Sequence, residues 1–176
     1  TTAAATLAAG LFDGLAEDWA GPGTGVAGEA LAAKKRAIDD ALSLHRTPIE
    51  DAGATGPLEA LRRLGGRELA AAAGAVLSAR MARKPVLLDG FVIGASAAVW
   101  AAMRPGALDH TQAAHVSAEP GHRRLLEKLG LSPLLDLGMR LGEGSGAAVA
   151  LGLLRAAVAC QSGMASFDEA AVDGPS

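Results

Sequence analysis

The second half of this 176-residue chain repeats one pattern three times: a short apolar run, a polar turn carrying glycine or a carboxylate, then a helical stretch. Pro85-Val-Leu-Leu-Asp89-Gly90 leads into a helical pattern from Phe91 to Met103 that Pro105-Gly106 closes. His110 to Val116 leads through Ser117-Ala-Glu119 into a helix from Gly121 to Leu129, with Pro120 at its first turn and Gly130 as its stop. Leu134 to Met139 leads through Arg140-Leu-Gly-Glu-Gly144 into a helix from Ser145 to about Ser162. Strands alternating with helices at this spacing require crossover connections, and crossovers build a parallel sheet. The chain is therefore expected to be α/β, a parallel sheet with flanking helices. Its length suits one domain, read as residues 1–166 with a tail at 167–176.

The first half reads as helices. Thr1 or Thr2 can cap a helix running to about Leu15. Gly21 to Gly25 is a loop, and Glu29 to Leu44 is a helix with Leu31, Ile38, Ala41 and Leu42 on one face. Pro48 and Gly53 to Pro57 are read as a break before short helix Leu58 to Leu64, and Arg67 to Arg83 is strongly helical. The start, Thr1-Thr2-Ala-Ala-Ala without an initiator Met, reads as the inside of a structure, so an N-terminal truncation is expected.

Half of the residues are hydrophobic but only 3% are aromatic. Alanine buries little area, so the core must rest on Leu, Val and close backbone packing. The net charge of −3 and the short basic clusters Lys34-Lys35-Arg36, Arg62-Arg63 and His122-Arg123-Arg124 argue against a nucleic-acid surface. Each cluster is most simply a solvated helix face. The longest weakly polar stretch, Gly144 to Cys160, is interrupted by Arg155, and no membrane association is expected. A lone cysteine, Cys160, excludes an internal disulfide and is expected to pack as a small apolar residue; a cytoplasmic protein is the simpler reading.

In open parallel sheets, ligands bind beyond the carboxyl ends of the strands. The loops at Asp89-Gly90, Ser117-Ala-Glu119 and Arg140 to Gly144 fall on that edge. The last of them carries Glu143 between glycines at the start of a helix, where a carboxylate can take a proton beside unpaired backbone N–H groups. Asp89 is expected to fix its own turn through an Asx-type bond. His110 and His115, on one strand and five apart, are expected on opposite faces, which disfavours a metal pair. His122 reads as a neutral surface residue, and Trp19 and Trp100 as core or interface anchors. The serine in Gly94-Ala-Ser-Ala-Ala98 lies within a helical pattern without an elbow's second glycine and reads as packing.

Taken in order, Thr1-Thr-Ala-Ala-Ala, Gly23-Thr-Gly-Val26, Leu87-Leu-Asp-Gly-Phe91, His115-Val-Ser-Ala-Glu-Pro-Gly-His122 and Leu135-Asp-Leu-Gly-Met-Arg-Leu-Gly-Glu-Gly-Ser-Gly146 resemble the nicotinate-nucleotide:dimethylbenzimidazole phosphoribosyltransferase family of cobalamin lower-ligand assembly. The last two motifs are long and specific. The family's proteins are roughly twice this length by domain-size reasoning, and the chain resembles their C-terminal half. The resemblance implies a Rossmann-like three-layer fold and a homodimer. It implies transfer of phosphoribose from nicotinate mononucleotide to 5,6-dimethylbenzimidazole, giving α-ribazole 5′-phosphate and nicotinate. It assigns Glu143 as general base for the benzimidazole N–H. Thr1 and Thr2 follow the family's phosphate-holding turn; Gly23, Gly25 and Lys34 reach the nucleotide. Gly90 and Ser117 lie near the ligand, and Arg140, Leu141 and Gly142 form the turn presenting Glu143. No metal or organic cofactor is implied, because the pyridinium glycosidic bond is already activated. The missing phosphate turn leaves a second reading: a non-catalytic nucleotide- or phosphate-binding fragment, or an inert half-subunit.

Overall fold

The computed structural model describes residues 1–22, 25, 27–167 and 169–171. Helices α1 (Thr2–Phe12), α2 (Ala16–Trp19), α3 (Gly28–Asp51), α4 (Gly56–Leu64) and α5 (Arg67–Met81) come first. Then β1 (Val86–Leu88), α6 (Gly90–Met103), β2 (Thr111–Ala113), α7 (Pro120–Leu129) and α8 (Ser145–Gly163) alternate, in the order the repeated pattern predicts. The two strands pair in parallel, with Val86 opposite Thr111 and Leu88 opposite Ala113.

The third predicted strand is reduced to a single parallel bridge, His115 to Leu135. Backbone bonds continue around it: Leu134 N–H donates to Ala113 O at 3.0 Å, and Val116 N–H to Leu135 O at 2.9 Å. Pro133 has no N–H to extend the ladder on one side. On the other, Gly138 takes φ +63°, which ends the extended run.

α1 and α6 are apolar all round, and such helices belong in a core. Residues 4–9 of α1 are all buried, as are 94–99 of α6. Their small side chains let the two helices pack directly on each other, with α3, α4, α5 and α7 around them. Trp19, Leu7, Ile38 and Leu125 fill the larger gaps. Trp19 is fully buried, its Nε1–H donating to Asp13 O at 3.0 Å, whereas Trp100 is half-buried with its Nε1–H on Ala73 O at 2.7 Å. Ser96 is buried and back-bonds to Val92 O at 2.9 Å, consistent with a packing serine.

Two helix boundaries differ from expectation. α1 stops at Phe12 because Asp13 and Gly14 turn to φ +58° and +121°. Thr1 occupies its N-cap position without a side-chain cap bond. α3 runs through Pro48 to Asp51, since a proline one turn from a helix end removes a single N–H there. Arg62 and Arg63 are not merely solvated: Arg62 forks onto Glu59 and Arg63 Nε donates to its Oε2, and these hydrogen bonds pull the carboxyl down to about 2.

α8 is the outlier in packing. Gly146 and Ala150 are buried, but Val149, Leu151, Leu153 and Val158 are exposed, and so is Cys160. The cysteine's expected burial fails because residues 151–163 of α8 are exposed, apart from half-buried Leu154. The helix has the length and apolarity to cross a membrane, with mean hydropathy 1.3. Arg155 near its middle and its tethering to the sheet oppose that use.

Candidate active site

Asp89 leaves β1 at its carboxyl end and stands at the N-cap position of α6, yet it makes no cap bond to that helix. Its carboxylate crosses to α8 instead. Oδ1 accepts the Ala147 N–H at 2.8 Å and Oδ2 accepts the Gly144 N–H at 3.2 Å. Gly144 is the N-cap residue of α8 and has no side chain, so Asp89 supplies the acceptor that helix lacks. The expected Asx turn at Asp89 is thereby corrected: the stronger demand comes from the orphan amides of α8.

These bonds hold a turn of unusual conformation. Gly142, Glu143 and Gly144 all have positive φ, at +83°, +57° and +77°. Two of them are glycines, which adopt that region freely; Glu143 does so at a cost of about 1–2 kcal/mol. The Ser145 N–H closes the turn on Gly142 O at 3.0 Å. Arg140, Leu141, Gly142 and Glu143 are all at least partly exposed, with Leu141 72% accessible.

Beneath the turn lie two buried histidines. His115 Nε2 is 3.5 Å from Asp89 Oδ1. Its ring fills the space where Gly146 would carry a Cβ, and it lies 3.4 Å from a Cβ built on Gly90. His122 packs edge-on against His115 at 6.2 Å and beside Phe91 at 6.3 Å. Its Nδ1 accepts the Ser117 N–H at 2.8 Å, which puts its proton on Nε2 when neutral. Burial, with the His115 ring next, lowers its pKa to about 4. The expectation of a surface His122 is wrong on position, because α7 turns that side chain toward α6 and Gly94. His110 goes elsewhere, its Nε2 meeting Val76 O at 3.0 Å. Among the described residues no three metal-ligating side chains cluster.

The nucleotide-binding residues expected in the first half gather nearby. Lys34 Nζ donates to Gly21 O at 2.7 Å and to Thr1 Oγ at 3.1 Å. Gly21 in turn packs on Glu119 and Pro120, leaving no room for a side chain. This joins Lys34 and Thr1 to the loop that begins at Ser117. Thr2 O accepts the Thr6 hydroxyl at 2.9 Å, and both Thr1 and Thr2 are exposed. Gly25 is exposed with φ +151°; Gly23 lies outside the described residues.

A family model described as a phosphoribosyltransferase matches residues 1–172. The chain belongs to that family. A relative from Brucella anthropi named nicotinate-nucleotide–dimethylbenzimidazole phosphoribosyltransferase is 57% identical over 174 residues, which is 99% of this chain and 50% of the relative. One of the same name from Rhizobium meliloti is 56% identical over 172 residues, 98% of this chain and 49% of its own length. The crystal structure of CobT from Thermus thermophilus superposes with a TM-score of 0.89 at 46% identity, covering 99% of this chain and 50% of that one. The chain thus spans about half the length of the curated relatives it matches.

A cavity of about 430 Å³, lined by Val76, Arg80, Trp100, Asp109 and His110, opens at the amino end of β2 and holds none of the predicted site residues. Sequence reasoning missed the buried partners of the site: the Asp89 tether, the His115–His122 pair, and Glu119, which is 8% accessible with Oε2 unpaired among the described residues. Each of these polar residues was visible in the sequence, but its burial was not.

Proposed function

We propose that residues 1–166 are one α/β unit of an enzyme that transfers phosphoribose from nicotinate mononucleotide to 5,6-dimethylbenzimidazole, releasing nicotinate and α-ribazole 5′-phosphate. The observation that carries this reading is the Glu143 turn, three consecutive positive-φ residues tied by Asp89 to the edge where Gly90 and Ser117 lie. One benzimidazole nitrogen attacks the anomeric carbon as nicotinate departs. The N–H on the other nitrogen becomes acidic, and Glu143 accepts that proton. The same carboxylate stabilises positive charge building on the ribose. Lys34, with Thr1, Thr2, Gly23 and Gly25, takes the nucleotide and its phosphate. Gly90 and Ser117 line the ligand, and Arg140, Leu141 and Gly142 present the base. The chemistry asks for no metal or organic cofactor.

The small parallel sheet and its helices are consistent with a Rossmann-like three-layer arrangement, and the exposed apolar residues of α8 with a homodimer in the cytoplasm. Sedimentation of the protein at full family length tests the dimer.

Glu143→Gln, made in a protein of full family length, should lower kcat by roughly 10²–10⁴-fold. Unchanged turnover of nicotinate mononucleotide and the benzimidazole would remove the base assignment. A second reading, a nucleotide-binding or inert half, is favoured by the exposure of Glu143 in this chain. Incubating the 176-residue chain with both substrates separates the two. Nicotinate release supports catalysis by this half alone, and nucleotide binding without release supports the second.

A further inference from the structure

We infer that Asp89, backed by His115, is a positioning residue for Glu143, acting through the turn and not on substrate. The inference rests on the reading of Glu143 as general base. Asp89 forgoes the adjacent helix α6 and commits both oxygens to amides 55 and 58 residues away, at the start of α8. Those amides flank Glu143 on its C-terminal side. Without that tether, a glutamate at φ +57° relaxes toward negative φ, since the left-handed region disfavours any residue with a Cβ. Such a rotation changes the direction in which the turn presents the carboxylate.

His115 completes the support from below. Its ring is 4% accessible, sits 3.5 Å from Asp89 Oδ1, and fills the space under Gly146, so the first turn of α8 rests on it. Asp89 itself is 13% accessible, with two amides and an imidazole around its oxygens. That leaves it poorly placed to take a substrate proton and well placed to fix a neighbour's direction. A misplacement of about 1 Å at a reacting group can cost about 10²-fold in rate, so a distant tether can matter this much.

The test uses the protein at full family length. Asp89→Asn keeps one acceptor and turns the other oxygen into a donor, breaking one amide bond. We expect kcat to fall about 10- to 100-fold with the KM for nicotinate mononucleotide within about twofold. Hydrogen exchange at the Gly144 and Ala147 amides should accelerate. In a Glu143→Gln background the same change should have no further effect on kcat, because both act on one step. An equal fall in both backgrounds, or amide exchange as in the parent, overturns the inference. Parent-like turnover by Glu143→Gln alone sinks the base reading and the positioning role with it, and is seen with Asp89 intact. If Asp89→Asn does not fold, Ala147→Pro deletes the donor instead; proline is tolerated in a first helical turn, and the preceding Gly146 has no Cβ to clash. It should reproduce the fall in kcat, and parent-like kcat there also overturns the inference.

Discussion

A methyl group on Gly146 would overlap the His115 ring. The neighbour cannot yield easily, because that ring is wedged between Gly90, Asp89 and His122. Gly146→Ala should therefore destabilise the chain by about 1–3 kcal/mol, the usual range for overpacking, read from the urea midpoint. Gly152 lies in the same helix with open space around it. There an alanine should stabilise slightly, since it removes only the helix penalty of glycine. The contrast separates a glycine required by tertiary contact from one that a helix merely tolerates.

At the scale of elements, α7 shows how little sequence a boundary needs. Pro120 opens it and Gly130 ends it with φ +65°, ψ +28°, the left-handed cap that glycine adopts without strain. Gly130→Ala meets open space, so its cost is conformational only: about 1 kcal/mol, with activity in a full-length protein unchanged, checked by thermal melting alongside turnover. Both boundaries were legible because proline and glycine act through their own backbone. The third strand was not, because its length depends on which partner carbonyls are in reach. Leu134 to Met139 reads as extended, yet only Leu135 forms a bridge.

For the molecule as a whole, the buried His122 sets a pH dependence. Its folded pKa is about 4 against 6.5 for the free side chain, chiefly because burial penalises the cation. The folded state thus binds fewer protons than the unfolded state between those values. Its contribution is fully present above pH 6.5 and is lost as pH falls toward 4, by roughly 3 kcal/mol in all. Urea midpoints from about pH 7.5 to about pH 4 should decline for the parent. The decline should be shallower for His122→Asn, whose side-chain oxygen can still accept the Ser117 N–H but does not titrate.

The order of helices and strands, the parallel pairing and the edge that gathers the conspicuous loops were determined by the sequence itself. Apolar periodicity and punctuation by proline and glycine are local properties, and crossover geometry leaves one sheet type. The motifs holding Glu143 and Ser117 were equally local. Tertiary structure alone decided which buried group serves which turn. Asp89 was expected to close its own turn, but a carboxylate goes to the unsatisfied amides within reach, and those belong to a helix more than fifty residues on. Only the folded chain brings them together.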